Sequence, residues 1–182
     1  SCFLISANYY HNSGKFLEAA LNYEDAAKRL EALKNYDKAY EIFIKAGEEA
    51  IRMQNLQIGI ENFMWAYDIA LKQEFSKSQK KPLIDKLLKN LKKLARIEEL
   101  SKNYFVAATL FLEALNYETE LMYKKEKILK HLHHIRELYN ESTKNNNGNG
   151  TNKLTSNARS AYKYVLIMII SKILRDPKSQ KN

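Results

Sequence analysis

Apolar and small side chains fall into register along the first part of the chain. Between Gly14 and Ala70 they form three rows: Phe16, Ala19, Tyr23 and Ala26; Tyr36, Ala39, Phe43 and Ala46; Leu56, Gly59, Phe63 and Ala66. The spacing within a row is i, i+3, i+7, i+10, which keeps its four members on one face of an α-helix. Successive rows step by twenty residues, and a fixed period of this size is the signature of a repeat architecture. The pattern predicts helices over about 15–33, 36–53 and 56–74, separated at Asn12-Ser13-Gly14, Lys34-Asn35 and Gln54-Asn55. Gly14 permits a left-handed helix end, and Ser13 or Asn12 can cap the next helix. Breaks this short make neighbouring helices antiparallel. Residues 1–12 read as the tail of another helix. Phe3 and Ser6 fall where an earlier row would place its last two members, so the chain is expected to open in mid-helix, as a fragment does.

The period continues past an interruption at 72–81, expected to be a longer loop that ends where Pro82 occupies the first turn of a helix over about 82–101. Ile84, Leu87, Leu91 and Leu94 form the next row, Tyr104, Ala107, Phe111 and Ala114 the one after, and Ile128, Leu132, Ile135 and Leu138 a row on a helix over about 122–141. The expected fold class is all-α, an antiparallel helix-hairpin repeat stack, or α-solenoid, over residues 1–141. The polar, Asn-rich residues 142–157 read as a flexible linker. Residues 158–175 read as a helix whose centre, Tyr164 to Ile170, is apolar on every side. Seven such residues fall short of the ~20 that span a bilayer, so this helix is expected to pack on the stack or on a partner.

Composition narrows the functional classes. The single cysteine, Cys2, excludes an intrachain disulfide framework and fits a reducing compartment. The formal charge of +9 is lopsided: residues 1–72 carry 8 Lys+Arg and 10 Asp+Glu, and the basic excess falls wholly beyond them. A basic half points to acidic proteins, anionic membrane surfaces or nucleic acid. No nucleophile elbow, phosphate-binding loop, dinucleotide motif or zinc-binding helix motif is present. The expected function is therefore non-enzymatic, with no cofactor, no metal and no catalytic residue.

Two clusters are weighed for chemistry. His131 and His134 lie one turn apart and, with Glu137, form a weak metal-site pattern, although Leu132 and Ile135 direct that helix's seam elsewhere. Glu24 and Asp25, and Glu48 and Glu49, read as solvated acids or partners of Lys28, Lys45 and Arg52. Trp65, beside Ala66, is expected in the core or lining a groove. The sharpest candidate is the basic helix. Lys86, Lys89, Lys92, Lys93 and Arg96 oppose the arc of Ile84, Leu87, Leu88, Leu91 and Leu94. These five cations are the candidate partner-binding residues. Without interleaved aromatics on that arc, nucleic acid is disfavoured.

The repeated small residues with aromatics between them resemble a tetratricopeptide-type helical repeat. The pair period of forty and runs such as Phe16-Leu17-Glu18-Ala19-Ala20 and Tyr36-Asp37-Lys38-Ala39-Tyr40 are similar to the vesicle-fusion attachment proteins of the SNAP family. Residues 83–141, with Lys102-Asn103-Tyr104 opening their second helix, also resemble a microtubule-interacting-and-trafficking domain. These resemblances imply a cytoplasmic or peripheral-membrane adaptor in vesicle trafficking that binds an acidic helical or coiled-coil partner. The alternative is a structural subunit docking through residues 158–175.

Overall fold

A computed structural model describes residues 2–121 and 125–144. They form seven helices: α1 (Cys2–Asn12), α2 (Phe16–Ala32), α3 (Tyr36–Arg52), α4 (Leu56–Lys72), α5 (Lys77–Leu100), α6 (Tyr104–Leu121) and α7 (Lys125–Lys144). No strand occurs among the described residues, and the all-α class stands. The chain divides into two compact units, Ser1–Asn90 and a second beginning at Leu91, with the boundary inside α5.

In the first unit the rows of the sequence become the seams between helices. Ala19, Tyr23 and Ala26, then Ala39, Phe43 and Ala46, then Leu56, Phe63 and Ala66 are all buried. Phe16 and Tyr36, at the first position of their helices, are only half-buried, whereas Leu56 at the same position of α4 is buried. Contacts between neighbouring helices run in opposite directions along the chain. Arg29 stacks on Phe3 at 4.5 Å, and the Tyr23 hydroxyl donates to Asn8 Oδ1 at 2.6 Å, so α1 and α2 are antiparallel. Three contacts two helices apart share one offset: His11 with Glu49, Asn62 with Glu24 and Lys86 with Glu48 are each 38 residues apart, whereas Lys72 and Glu31 are 41 apart.

The backbones of α3 and α4 meet where Gly47 faces Gly59. A Cβ on Gly47 would fall 2.5 Å from the Phe63 ring and 3.0 Å from the Gly59 carbonyl oxygen. One on Gly59 would collide with the Ile51 side chain. Small residues here let the backbones meet, and the neighbouring Phe63 fills the space they leave.

The turns repeat as closely as the helices. Gly14, Lys34, Gln54 and Glu74, each twenty residues after the last, all adopt positive φ, as does Lys102. At each, the residue's own N–H bonds a carbonyl three back, as in Lys34 to Glu31 at 2.8 Å. The next N–H bonds one five back, as in Asn35 to Leu30 at 2.9 Å. This double bond closes the helix and favours glycine. Ser13 and Asn12 do not cap α2: Lys15 holds the cap position, and Ser13 Oγ donates back to the Tyr9 carbonyl at 2.8 Å. Four of the five left-handed residues carry a Cβ, which costs roughly 1–2 kcal/mol, partly offset by the unfolded-state entropy that glycine adds. Lys34→Gly, Gln54→Gly and Glu74→Gly are each expected to stabilise the first unit by about 0.5–1 kcal/mol. Higher urea midpoints for the three variants would check this. An unchanged or lower midpoint would contradict it.

The expected loop at 72–81 is shorter than the sequence pattern implies. Only residues 73–76 are non-helical, and α5 starts at Lys77. Ser76 and Gln79 form a reciprocal cap. The Gln79 N–H donates to Ser76 Oγ at 3.4 Å, and the Ser76 N–H donates to Gln79 Oε1 at 2.9 Å. Pro82 thus sits in the second helical turn rather than the first, where it removes one backbone bond. The shift in period is absorbed by helix length: α5 has 24 residues, against 17 in each of α2, α3 and α4.

In the second unit, α6 and α7 pack through Ala107, Ala108, Leu112, Leu115, Ile128, Ile135 and Leu138. Phe105 meets Tyr139 and Phe111 meets His134, which makes these helices antiparallel. Ala95 is fully buried on α5, while Leu94, expected in the seam, is half-buried. The last described helix runs past 142, the expected start of the linker. α7 runs to Lys144, and Ser142 is buried with its hydroxyl donating to the Tyr139 carbonyl at 2.7 Å. The seam's own spacing, 135, 138, 142, carries it there. Residues 145–157 of the expected linker and the expected helix 158–175 fall outside the described residues.

Candidate partner-binding face

α5 carries the five candidate cations, and its neighbours sort them into two groups. Lys86 pairs with Glu48 on α3, and its Nζ sits 5.9 Å from the Phe63 ring centre. Lys92 lies 3.4 Å from Glu118 Oε2 on α6. These two are engaged within the fold. Lys89, Lys93 and Arg96 are exposed, and among the described residues none of them makes an ion pair or hydrogen bond. Other lysines nearby are paired, Lys81 with Asp85 at 2.6 Å and Lys127 with Glu118.

With 3.6 residues per turn, Lys89, Lys93 and Arg96 share one stripe with Ile97 and Leu100, within an arc of about 100°. Ile97 is 45% exposed and Leu100 84% exposed. The opposite side of α5 holds Leu83, Ile84, Leu87, Leu91 and Ala95, all buried. Periodicity locates the basic arc, but it misses that the arc continues into an apolar end. The signal that could have found it is the placing of Ile97 and Leu100, two apolar residues off the seam.

Among the described residues, Glu118 is the most heavily partnered acid of the second unit. It is 6% exposed and accepts Lys92, Lys127 and, at 3.0 Å, His131 Nδ1. Burial alone would push its carboxyl up, but the Lys127 hydrogen bond and the charges of Lys92, His131 and Lys127 outweigh it and hold the pKa below the ordinary 4.5. Burial pushes His131 below the ordinary 6.5. The Glu118 carboxylate opposes that shift, and Lys92 and Lys127 reinforce it.

The histidines are divided among different carboxylates. His131 faces Glu118, His134 lies 3.6 Å from Glu99, and Glu137 pairs with His133 at 3.1 Å. The pattern His131, His134, Glu137 is therefore not assembled. Among the described residues, no group of three or more His, Cys, Asp or Glu side chains is arranged to hold a metal ion.

Of the paired acids, Glu24 meets Lys28 at 2.5 Å, in line with the sequence, and it also accepts Asn62 Nδ2 at 2.9 Å. Glu49 meets Arg52, one of its expected partners, but is buried rather than solvated. It is 6% exposed, 3.2 Å from His11 Nδ1 and 3.9 Å from Arg52 Nε. The seam of α3 passes from Ala46 to Ala50, and Glu49 falls within it. Trp65 is 43% exposed, with its ring stacked on Phe43 at 6.1 Å. Among the described residues no helix is long and apolar enough to cross a membrane. Comparison with protein-family models, with curated proteins and with solved structures gives no match to this chain.

Proposed function

We propose that this chain is a helical-hairpin repeat scaffold, of the tetratricopeptide-like α-solenoid kind, that acts without catalysis as a protein–protein adaptor. Three features support the repeat: the twenty-residue rows, left-handed turn residues at 14, 34, 54 and 74, and three cross-helix pairs that share an offset of 38. The partner is an acidic helical segment, in keeping with the likeness to vesicle-fusion attachment proteins, and the setting is vesicle trafficking. One observation carries the binding reading. Lys89, Lys93 and Arg96 stay exposed and, among the described residues, unpaired, on a helix where Lys81, Lys86 and Lys92 have all found acids.

Exposed charges attract a partner over a distance set by salt, so binding must weaken as ionic strength rises. The triple variant Lys89→Glu, Lys93→Glu, Arg96→Glu is expected to lose roughly tenfold or more in affinity for an acidic helical peptide at low salt. Lys86→Gln is expected to leave that affinity unchanged, because Lys86 is already committed to Glu48. Fluorescence anisotropy of a labelled glutamate-rich helical peptide would measure both. Equal affinity for the triple variant and the parent chain would refute the reading.

A further inference from the structure

We infer that the stretch of α5 bearing Lys93, Arg96, Ile97 and Leu100 takes an amphipathic acidic helix of fixed direction, whose carboxylates meet the two cations and whose apolar side chains meet Ile97 and Leu100. This deepens the adaptor reading above and rests on it. Charge alone would accept any acidic chain. The apolar end narrows the choice: Leu100 is 84% and Ile97 45% exposed, directly following two cations in the same arc that are unpaired among the described residues. An aliphatic side chain left this open is covered with gain when a partner supplies an apolar surface.

The geometry favours a helix as the occupant. α5 satisfies its own backbone bonds along this stretch, so it offers no open edge to which a strand could add. What it offers is side chains at i, i+3, i+4 and i+7, counted from Lys93. A second helix presents side chains at the same spacing and can lie beside it. The order of chemistries along α5 is also fixed. Cations precede and apolar residues follow, over about 10 Å from Lys93 to Leu100 at 1.5 Å per residue. A partner must therefore carry its acids and its apolar anchors in separate, adjacent turns. Lys102, in the turn after α5, holds positive φ and ends the helix, which sets the far limit of the face.

The test uses the full chain and three synthetic helical peptides. The first has a glutamate turn followed by a leucine turn. The second has the same glutamates with alanine for leucine. The third interleaves the two residue types. The first peptide is expected to bind about tenfold more tightly than the second or third, as the cover of one or two aliphatic side chains implies. Ile97→Asn with Leu100→Asn is expected to erase that difference by lowering the affinity for the first peptide to that for the second. Circular dichroism checks that the variant keeps its helix content, as substitution at exposed positions should allow.

Equal binding of the three peptides by the parent chain would overturn this inference and leave the charge-based reading intact. No binding of any peptide would overturn both. Vesicles of phosphatidylcholine and phosphatidylserine form the last arm. Leu100-dependent binding to the vesicles without binding to the first peptide would overturn the helix in favour of an anionic membrane surface.

Discussion

Phe63→Ala is expected to remove about 3–5 kcal/mol from the stability of the first unit, the largest single loss proposed for this chain. Phe63 is buried in the α4 seam and covers the crossing of Gly47 and Gly59. Its removal deletes a large apolar side chain at a place where two backbones already touch, so the helices have little room to collapse into the void. The same geometry predicts an interaction between sites. Gly47→Ala alone gains helix propensity of about 1 kcal/mol, yet its new Cβ would stand 2.5 Å from the Phe63 ring. The ring is buried and must shift, so a net loss of roughly 1–2 kcal/mol is expected. With Phe63→Ala in place, the clash with the ring is gone and Gly47→Ala costs much less. Trp65, the one tryptophan of the chain, stacks on Phe43 at the same helix pair and reports on it by fluorescence. Urea titrations of the two single variants and the double would give the coupling. Additive losses would mean that Gly47 and Phe63 do not share the space ascribed to them.

The second large effect is expected at Glu118. Glu118→Ala leaves Lys92, Lys127 and His131 facing one another without their shared acceptor. Breaking a fully buried ion pair costs about 3–5 kcal/mol. Lys92, Lys127 and His131 keep a third to a half of their side chains in water, so a loss nearer about 1–3 kcal/mol is expected here. Acidity should act through the same cluster. His131 titrates below its ordinary 6.5 in the fold, so the unfolded chain takes up that proton first. Its contribution is present above pH 6.5 and is lost as pH falls through the window beneath. Glu118 also titrates low, so its contribution is present above pH 4.5 and is lost as pH falls through its folded value. Glu113 has the opposite sign: burial pushes its carboxyl up, and protonation relieves a cost. Melting of the full chain from about pH 7.5 to about 5.5 is therefore expected to lose stability in α6 and α7, with His131→Gln flattening the slope. Amide exchange in α6 and α7 locates the change. An identical slope in parent and His131→Gln would remove His131 from the account.

Much of the helical framework is legible in the sequence. The rows ending in Ala26, Ala46 and Ala66 become buried seams, and the breaks at Gly14, Lys34 and Gln54 fall at left-handed residues. Each of these depends on neighbours three to seven residues away, which a periodic pattern records directly. The start of α5 escapes that pattern because Pro82 is the louder signal, although the Ser-x-x-Gln cap at Ser76 and Gln79 lies four residues after Lys72. The end of α7 escapes it because Ser142 reads as linker by composition, while its place in the 135, 138, 142 spacing buries it.

The candidate face divides the same way. Local sequence determined that α5 would have a basic arc opposite its apolar seam, since both follow from 3.6 residues per turn. It could not determine which cations were free. That depends on acids far away in the chain: Glu48, 38 residues before Lys86, and Glu118, 26 residues after Lys92. Helix periodicity says which way a side chain points from its own axis and nothing of what waits there. Packing brought those acids to Lys86 and Lys92, buried Glu49 beside His11, and left Lys89, Lys93 and Arg96 facing water beside Ile97 and Leu100.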